Sequence, residues 1–394
     1  GLKSAFARGL LSTGIDVVDL GTITTPMNYF SLYHLPVDGS VQITGSHNPP
    51  AFNGFKLSLK KGEPVYGDAI QSIRRIIKEG TFAEGSGRSE TADIYEAYQS
   101  MLQSKIKLER PLSVVMDCGN AAGCISAPDA FRRAGLKVKE LFCTIDGDFP
   151  NHHPDPTVEE NLLDVVREMK TGQYDAGFAF DGDADRVGLV DEKGRIVWAD
   201  IIMALLLPEI LTPGERVVFD VKCSQALEET IVALGGRPVM WKTGHSLIKN
   251  ELRQNGGKIG GELSGHIFLA DEFYGFDDAV YVALRIARLL SKSKEPLSAL
   301  IDRIPAYVSS PEIRFDCADD ASKFEIARRS AEYFRSRYPC IEVDGVRIKF
   351  PDGWGLVRPS NTQPSITCRY EARTREGMER IEAEIKAGLK ASGL

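Results

Sequence analysis

Long apolar segments are rare in this sequence. The longest candidate, Ile201 to Leu207, ends at Pro208 and is far shorter than the roughly 20 residues that a membrane-spanning helix needs. No signal peptide is visible either. We therefore expect a protein that does not act at a membrane.

Cysteine pairs with the spacing of metal or redox motifs are also missing. No Cys-x-x-Cys is present, and the chain has no Asn-x-Ser/Thr acceptor for glycosylation. An odd, scattered set of cysteines in a long chain predicts reduced thiols and a cytoplasmic location rather than a disulfide framework. The seven are Cys118, Cys124, Cys143, Cys223, Cys317, Cys340 and Cys368.

An excess of positive charge is the third absence. The 48 Lys and Arg residues are outnumbered by 55 Asp and Glu, for a formal net charge of −7. That balance argues against a general nucleic-acid binder but leaves room for a local basic cleft, which is all that a small phosphorylated substrate needs. With 394 residues, 43% of them hydrophobic, the chain is long enough for two to four domains.

The order of apolar runs predicts an α/β protein, since short runs typical of strands alternate with helical periodicity. The pattern predicts a helix over Asp68 to Glu79, and Thr157 to Glu160 has the form of a capping box that opens another helix. Ser113-Val-Val-Met-Asp-Cys118 and Arg216-Val-Val-Phe-Asp-Val221 are similar, and each precedes a helix, a glycine turn and a further strand. Duplication and chance remain open as explanations.

The last segment differs from the rest. From about Pro305 the pattern indicates a strand, a helix over Ser322 to Tyr338, a hairpin around Asp352-Gly353 and a final helix over Arg375 to Leu389. This order predicts a smaller α+β domain. We place domain boundaries near residues 90, 194 and 305, which gives domains 1–90, 91–194, 195–305 and 306–394.

A serine-containing loop is the first candidate for chemistry. Thr44-Gly-Ser46-His47-Asn-Pro-Pro50 follows a predicted strand, and its prolines prevent a helix from starting at once. The Asn53-Gly54 turn could return Lys56 towards Ser46. A nucleophilic hydroxyl needs a proton acceptor and charge compensation, which His47, Lys56 and a metal could supply. A purely structural role for this turn remains an open alternative. A Ser-His-Asp hydrolase is not favoured, because His47 is expected to point away from Ser46 and the Gly-x-Ser-x-Gly elbow is absent.

An aspartate-rich loop gives the strongest local signal. Asp181, Asp183 and Asp185 alternate between two predicted strands, and a hard divalent cation would relieve their mutual repulsion. Arg186 adds a cation that could face a phosphate. A calcium loop of the EF-hand kind stays a weaker alternative, since Arg186 stands where a glycine is needed and the flanks read as strands.

Three further polar segments could hold a substrate. Gly261-Glu262-Leu263-Ser264-Gly265-His266 offers groups that suit sugar hydroxyls. Thr243-Gly244-His245 opens a helix, whose start can hold an anion, and Lys222 ends a strand. Arg358-Pro-Ser360-Asn361-Thr362 gathers the donors that bind phosphate but is not a Walker loop. For each, an ordinary polar turn or surface charge is the alternative.

Four of these segments together resemble the motifs of the α-D-phosphohexomutase family, in the family's order and over essentially the whole chain, most of all its phosphomannomutase/phosphoglucomutase branch. The resemblance implies three related mixed α/β domains and a smaller α+β C-terminal domain around a central cleft. Residues Thr44 to Lys56 resemble the phosphoserine loop, Asp181 to Arg186 the metal loop, Gly261 to His266 the sugar loop and Arg358 to Thr362 the phosphate loop.

The resemblance also implies roles. The expected catalytic residues are Ser46, His47, Lys56, Arg186 and His245. Magnesium would be held by Ser46, Asp181, Asp183 and Asp185. The expected substrate-binding residues are Lys222, Thr243, Gly244, Glu262, Ser264, His266, Arg358, Ser360, Asn361 and Thr362.

Two departures from the family pattern stand out. A Tyr-Asp-x-Arg-Gly stretch near the start of family members has no counterpart here, so the first domain is expected to be incomplete at its N-terminus. Leu263 stands where mannose and glucose mutases usually have Met and phosphoglucosamine mutases usually have Gln. Leu263, Gly45 and Phe55 favour the hexose enzymes.

The function expected from the resemblance is interconversion of hexose 1-phosphate and hexose 6-phosphate, with mannose, glucose or both as the sugar. The reaction would run through phosphoserine and a hexose 1,6-bisphosphate, with Mg²⁺ as cofactor, in a monomer that binds a small phosphosugar. A phosphoglucosamine mutase, a metal-dependent phosphatase and a non-catalytic sugar-phosphate-binding remnant are the alternatives.

Overall fold

The structure is a computed structural model and describes residues 1–49, 51–360 and 363–394. It divides into two compact units. The first consists of Gly1–Ala199 and Ser264–Ala299, and the second of Asp200–Leu263 and Leu300–Leu394. Among the described residues, no helix combines the length and the apolar character that crossing a membrane requires.

The first ninety residues form helices around short sheets. β2 and β3 form an antiparallel hairpin in which Thr44 pairs with Gly54 and Gln42 with Lys56. The hairpin returns Lys56 as predicted, but the tight turn predicted at Asn53-Gly54 is wrong, because Gly54 already belongs to β3 and pairs with Thr44. The elements are α1 (Leu2–Ser12), β1 (Val17–Asp19), α2 (Thr25–His34), β2 (Gly39–Thr44), β3 (Gly54–Leu59), β4 (Glu63–Pro64), α3 (Asp68–Glu79) and β5 (Ser89–Thr91).

The next segment builds a five-stranded sheet in the order β10-β9-β8-β6-β7. β6 is parallel to both β7 and β8, whereas β9 is antiparallel to β8 and to β10. The elements are α4 (Tyr95–Lys105), β6 (Ser113–Asp117), α5 (Gly123–Arg133), β7 (Lys137–Leu141), α6 (Leu163–Met169), β8 (Ala176–Phe180), β9 (Val187–Asp191) and β10 (Ile196–Val197).

The strands β8 and β9 are buried along their whole length. Phe178 and Phe180 pack edge-on against Phe131 of α5, and Val165 and Met169 of α6 belong to a second apolar cluster with the sheet. Phe180 pairs with Val187. The aspartate loop is therefore the connection of a hairpin whose two strands are fixed by the core.

The predicted capping box at Thr157 is wrong. A short 3-10 helix, Glu159–Leu162, comes first, and α6 begins only at Leu163. Both the N–H and the hydroxyl of Thr157 donate to Asp155 Oδ1, at 3.0 and 2.7 Å. The Asp155 carboxylate thus satisfies donors that the sequence pattern assigned to the start of a helix.

The third segment repeats the strand–helix–strand pattern. β11 lies between β12 and β13 and is parallel to both, just as β6 lies between β7 and β8. The two similar sequence segments therefore have the same local topology, although this does not decide between duplication and chance. The elements are α7 (Ala199–Ile210), β11 (Arg216–Asp220), α8 (Gln225–Ala233), β12 (Arg237–Trp241), α9 (His245–Asn255), β13 (Ile259–Gly261), β14 (Ile267–Leu269), α10 (Ala279–Lys292) and α11 (Leu297–Ile301).

The C-terminal segment is an antiparallel sheet with two long helices, and its predicted α+β character is confirmed. The sheet runs β15-β20-β19-β18-β17, with β16 also paired to β20. Phe334 of α12 and Ile381 and Ile385 of α13 share the core with the strands. The elements are β15 (Val308–Ser309), β16 (Ile313–Asp316), α12 (Asp320–Arg335), β17 (Cys340–Ile341), β18 (Val346–Phe350), β19 (Gly353–Pro359), β20 (Ser365–Ala372) and α13 (Arg375–Ala391).

Candidate active site

Ser46 follows the end of β2 in a left-handed backbone conformation, with φ of 50°. This conformation is uncommon for any residue other than glycine and often marks a functional position. The Ser46 N–H donates to Thr44 Oγ1 at 2.8 Å, which fixes the turn. The Ser46 hydroxyl donates to Asp181 Oδ2 at 3.0 Å and accepts from Arg186 at 3.0 Å.

The expectation that His47 points away from Ser46 is wrong. His47 Nδ1 lies 3.3 Å from Ser46 Oγ and also accepts a hydrogen bond from Arg186. The left-handed turn at Ser46 allows adjacent side chains to converge, which an extended backbone would not. Burial, together with the Arg186 charge, lowers the pKa of His47 to about 4, so its imidazole is neutral near pH 7.

The aspartate loop turns tightly over its own first residue. Asp181 Oδ1 accepts from the backbone N–H groups of Asp185 and Arg186, at 3.0 and 3.1 Å. Gly182 makes the close approach to the serine loop possible, because a Cβ at this position would lie 1.9 Å from the Ser46 carbonyl oxygen. The two loops are therefore in direct contact, as the sequence hypothesis requires.

The aspartate loop carries three buried carboxylates, and two of them are paired with one lysine from β3. Asp181, Asp183 and Asp185 are each at most 2% exposed. Lys56 Nζ donates to Asp183 Oδ2 at 2.8 Å and to Asp185 Oδ2 at 2.6 Å. β3 carries Lys56 here, so the hairpin brings its cation to the aspartates.

The charges in this cluster do not balance. Burial, and then the neighbouring Asp185 and Asp183, raise the pKa of Asp181 to about 8. Burial alone would also raise the pKa of Asp183, but Lys56 outweighs it and lowers that pKa. Burial and the Asp183 charge raise the pKa of Asp185. A further positive charge would let all three groups stay ionised.

The donor set fits a divalent metal ion. One oxygen from each of Asp181, Asp183 and Asp185 lies within 4.8 Å of the others. Asp183 Oδ1 and Asp185 Oδ1 are buried and accept no hydrogen bond from any described residue. Hard carboxylate oxygens are the ligands that magnesium and calcium prefer. The three aspartates could therefore hold a metal ion, with Ser46 adjacent.

Arg186 and His266 complete the surroundings of the cluster. Arg186 is buried, and its Nε lies 3.2 Å from Asp181 Oδ2. His266 Nδ1 lies 2.9 Å from Asp277 Oδ2 and 3.5 Å from Asp185 Oδ1. Burial alone would lower the pKa of His266, but the two carboxylates outweigh it and raise the pKa. His266, predicted to bind sugar, is thus in direct reach of the aspartate loop.

Three residues at this site were missed in the sequence. Thr25 holds the loop from α2, donating its N–H to the Asp183 carbonyl at 3.0 Å and its hydroxyl to Asp183 Oδ2 at 2.7 Å. Asp155 lies 3.7 Å from His47 Nε2 and 3.9 Å from Arg186. Asp277 pairs with His266. No local pattern distinguishes these residues, since each acts through a partner distant in sequence.

The second unit gathers most of the predicted substrate-binding residues. The backbone N–H of Thr243 and the guanidinium of Arg358 both donate to Asp344 Oδ2, at 3.1 Å for each nitrogen. The Gly244 N–H donates to Glu262 Oε1. Asp344 therefore brings the predicted phosphate and helix-start segments together, although no sequence pattern singles it out.

Lys222 is held by carboxylates in the same unit. Its Nζ lies 3.0 Å from Glu312 and 3.9 Å from Asp220. Burial would lower the pKa of Lys222, but Asp220 and Glu312 outweigh it and raise the pKa. Lys222 is thus a buried cation rather than the solvated surface charge that was its alternative.

The other predicted residues are less informative. His245 is the first residue of α9. Ser360 N–H donates to the Ser365 carbonyl at 2.8 Å. Ser264 belongs to the first unit and is half-buried. Asn361 and Thr362 lie outside the described residues.

Matches to models of known families show the protein family to which this chain belongs. Four models of phosphoglucomutase/phosphomannomutase match in order: α/β/α domain I over residues 1–84, domain II over 95–194, domain III over 198–307 and the C-terminal domain over 312–388. The chain belongs to the phosphoglucomutase/phosphomannomutase family. The predictions of the family, the fold class and an enzyme are thereby confirmed.

Individual relatives share the full length of the chain. A phosphomannomutase/phosphoglucomutase of Pseudomonas aeruginosa is 41% identical over 99% of this chain and 84% of its own length. A phosphoglucomutase of Neisseria gonorrhoeae is 40% identical over 99% and 86%. The crystal structure of a family protein from Burkholderia thailandensis has a TM-score of 0.91 and 39% identity, covering 99% of this chain and 86% of the other.

Proposed function

We propose that this chain interconverts hexose 1-phosphate and hexose 6-phosphate through a phosphorylated Ser46 and a hexose 1,6-bisphosphate intermediate. It is an enzyme of the phosphohexomutase class. One observation carries the proposed mechanism: the Ser46 hydroxyl touches both Asp181 of the aspartate loop and the buried Arg186. A nucleophile needs this combination of an acceptor, a cation and a metal-binding carboxylate set.

Magnesium is the proposed metal, held by Asp181, Asp183, Asp185 and the oxygen of Ser46. When bound, it would neutralise charge on the transferring phosphoryl group. A small number of protein ligands is typical of Mg²⁺ sites, because Mg²⁺ keeps water and phosphate oxygens as its other ligands.

The residues of this chain supply position and charge. Phosphoryl transfer breaks the bond between phosphorus and the Ser46 oxygen and forms one to a free hydroxyl of the sugar phosphate. Arg186 donates to the serine oxygen and stabilises negative charge there. Lys56 holds Asp183 and Asp185 in place. His47 and His245 are the proposed acid/base groups.

The reverse transfer returns the other phosphate of the bisphosphate to Ser46. The non-reacting phosphate needs contacts that accept either end of the sugar, which Arg358, Ser360, Asn361 and Thr362 would give. Glu262 and Ser264 would bind sugar hydroxyls. The remaining proposed substrate contacts are Lys222, Thr243, Gly244 and His266.

Mannose and glucose phosphates are the proposed substrates, supported by Leu263, Gly45 and Phe55. A preference for glucosamine 1-phosphate would instead favour the phosphoglucosamine mutase alternative, so relative kcat/KM for the three sugars decides between them. The proposal also includes a monomeric state and a cytoplasmic location. The latter is supported by the seven cysteines, all of them described and none in a disulfide.

The decisive experiment replaces Ser46 by Ala and uses exposed Ser86→Ala in the same unit as the matched control. Incubation with hexose 1,6-bisphosphate should add one phosphoryl group to the wild type and the control, read by intact mass, and none to Ser46→Ala. Mutase turnover should follow the same pattern. Normal turnover in Ser46→Ala would refute the covalent mechanism. Steady release of inorganic phosphate without isomerisation would instead support the phosphatase alternative.

A further inference from the structure

A buried aspartate at the end of β11 takes no part in the mechanism proposed above. Asp220 is the last residue of this strand, which lies between β12 and β13 and is parallel to both. Its side chain is fully buried. The carboxyl ends of parallel strands meet at one edge of a sheet, which is where ligands usually bind. The segments that follow the three strands therefore all begin beside Asp220.

The Asp220 carboxylate accepts a hydrogen bond from each of these three segments. Oδ1 accepts from the Cys223 thiol at 3.1 Å, in the segment after β11, and from the Leu263 N–H at 3.4 Å, after β13. Oδ2 accepts from the Thr243 hydroxyl at 3.1 Å, after β12. Each oxygen of an ionised carboxylate can accept more than one hydrogen bond, so a single side chain joins segments that are distant in the sequence.

Two of these contacts reach the surroundings of Glu262, which is a proposed contact for sugar hydroxyls. Leu263 is the next residue in the chain. Thr243 precedes Gly244, whose N–H donates to Glu262 Oε1. Glu262 is itself buried, and a buried network of satisfied hydrogen bonds holds its members in one arrangement. Asp220 therefore fixes both the backbone beside Glu262 and the segment that donates to the Glu262 carboxylate.

Lys222 lies close to Asp220 but has a nearer partner. Its Nζ is 3.9 Å from Asp220 Oδ2, whereas it donates to Glu312 Oε2 at 3.0 Å. Loss of the Asp220 charge would leave Lys222 paired with Glu312 and would remove one negative charge that repels a phosphate bound nearby. The contacts of Asp220 thus predict opposite effects on the two parts of a sugar phosphate: support for sugar binding and no support for phosphate binding.

We propose that Asp220 is a positioning residue for Glu262 and thereby sets the affinity for the sugar part of the substrate. Groups that bind a ligand keep their geometry only when neighbouring hydrogen bonds lock their rotamers. Asp220 supplies that support to Glu262 through Leu263 on one side and through Thr243 on the other. This role rests on the proposed function, because it takes Glu262 as a contact for sugar hydroxyls.

The test replaces Asp220 by Asn in the full chain, with the exposed Asp316→Asn in the same unit as the matched control. Asn has nearly the same shape but one acceptor oxygen in place of two. Calorimetric titration should show the dissociation constant for hexose 6-phosphate rising about tenfold, as expected for a lost hydrogen bond to a charged group. The dissociation constant for inorganic phosphate should not rise. Unchanged affinity for hexose 6-phosphate, or an equal loss for both ligands, would overturn the proposal.

A second variant tests the path from Asp220 to Glu262. Thr243→Val removes the hydroxyl that donates to Asp220 but keeps the N–H that donates to Asp344. It should weaken hexose 6-phosphate binding less than Asp220→Asn does, and the double variant should bind as Asp220→Asn alone; additive losses would refute the path through Thr243. A wild type with neither hexose 6-phosphate binding nor mutase turnover would refute the proposed function, whereas equal binding by an active wild type and Asp220→Asn would refute only the role of Asp220.

Discussion

Replacing Gly182 by Ala should separate the serine and aspartate loops. The added Cβ would start 1.9 Å from the Ser46 carbonyl oxygen, whereas ordinary contacts begin at 3.4 Å. The loops must therefore part by about 1.5 Å, the difference between these two distances. Overpacking of this kind costs about 1–3 kcal/mol of stability. The Ser46–Asp181 hydrogen bond, now 3.0 Å, would no longer form.

The effect on catalysis should exceed the effect on folding. A misplacement of about 1 Å can cost roughly 100-fold in rate, so mutase turnover should fall by about that factor while the chain stays folded. Gly147→Ala is the matched control, because its added Cβ meets nothing within 4 Å. A coupled mutase assay and thermal unfolding measure the two effects. If a folded Gly182→Ala protein kept its turnover within threefold of wild type, close contact between the serine and aspartate loops would not be required for catalysis.

Three further predictions concern charge and hydrogen bonding. Lys56→Met leaves buried carboxylates without their cation, so the free energy of unfolding in chelator should fall by about 3–5 kcal/mol; a change below 1 kcal/mol in urea titrations would contradict this. Thr25→Val removes the 2.7 Å hydrogen bond to Asp183 and should weaken Mg²⁺ binding about tenfold in thermal-shift titrations. An unchanged Mg²⁺ affinity would contradict this role of Thr25. Hydrogen bonding to Asp117 outweighs burial and raises the pKa of His152. The His152–Asp117 pair therefore stabilises the fold at low pH, and this stabilisation is lost as the pH rises through the raised pKa of His152. His152→Gln should flatten the pH dependence of stability above about pH 6.5, and an unaltered profile would show that the pair contributes nothing.

Local sequence patterns predicted the elements that carry the site. The alternation of Asp181, Asp183 and Asp185 between two apolar runs identified a loop between strands, and β8 and β9 have that arrangement. The predicted return of Lys56 is provided by the β2–β3 ladder, although Gly54 lies in β3 rather than in a tight turn. These predictions held because each depends on neighbours in the chain.

Contacts between distant segments could not be predicted in the same way. Thr25 and Asp183 are 158 positions apart, and nothing in either segment indicates the other. The capping box failed for a local reason instead, because Asp155, two residues before Thr157 and outside the pattern, accepts from both donors of Thr157.

The left-handed backbone at Ser46 limits which residue could carry a phosphoryl group at this point of the chain. A β-branched side chain is disfavoured at positive φ, so threonine, the other aliphatic hydroxyl, would meet backbone strain before any chemistry began. Asp and Asn tolerate the same backbone region well. An aspartate at position 46 would therefore sit without distortion, giving a permanently charged stand-in for the phosphorylated state.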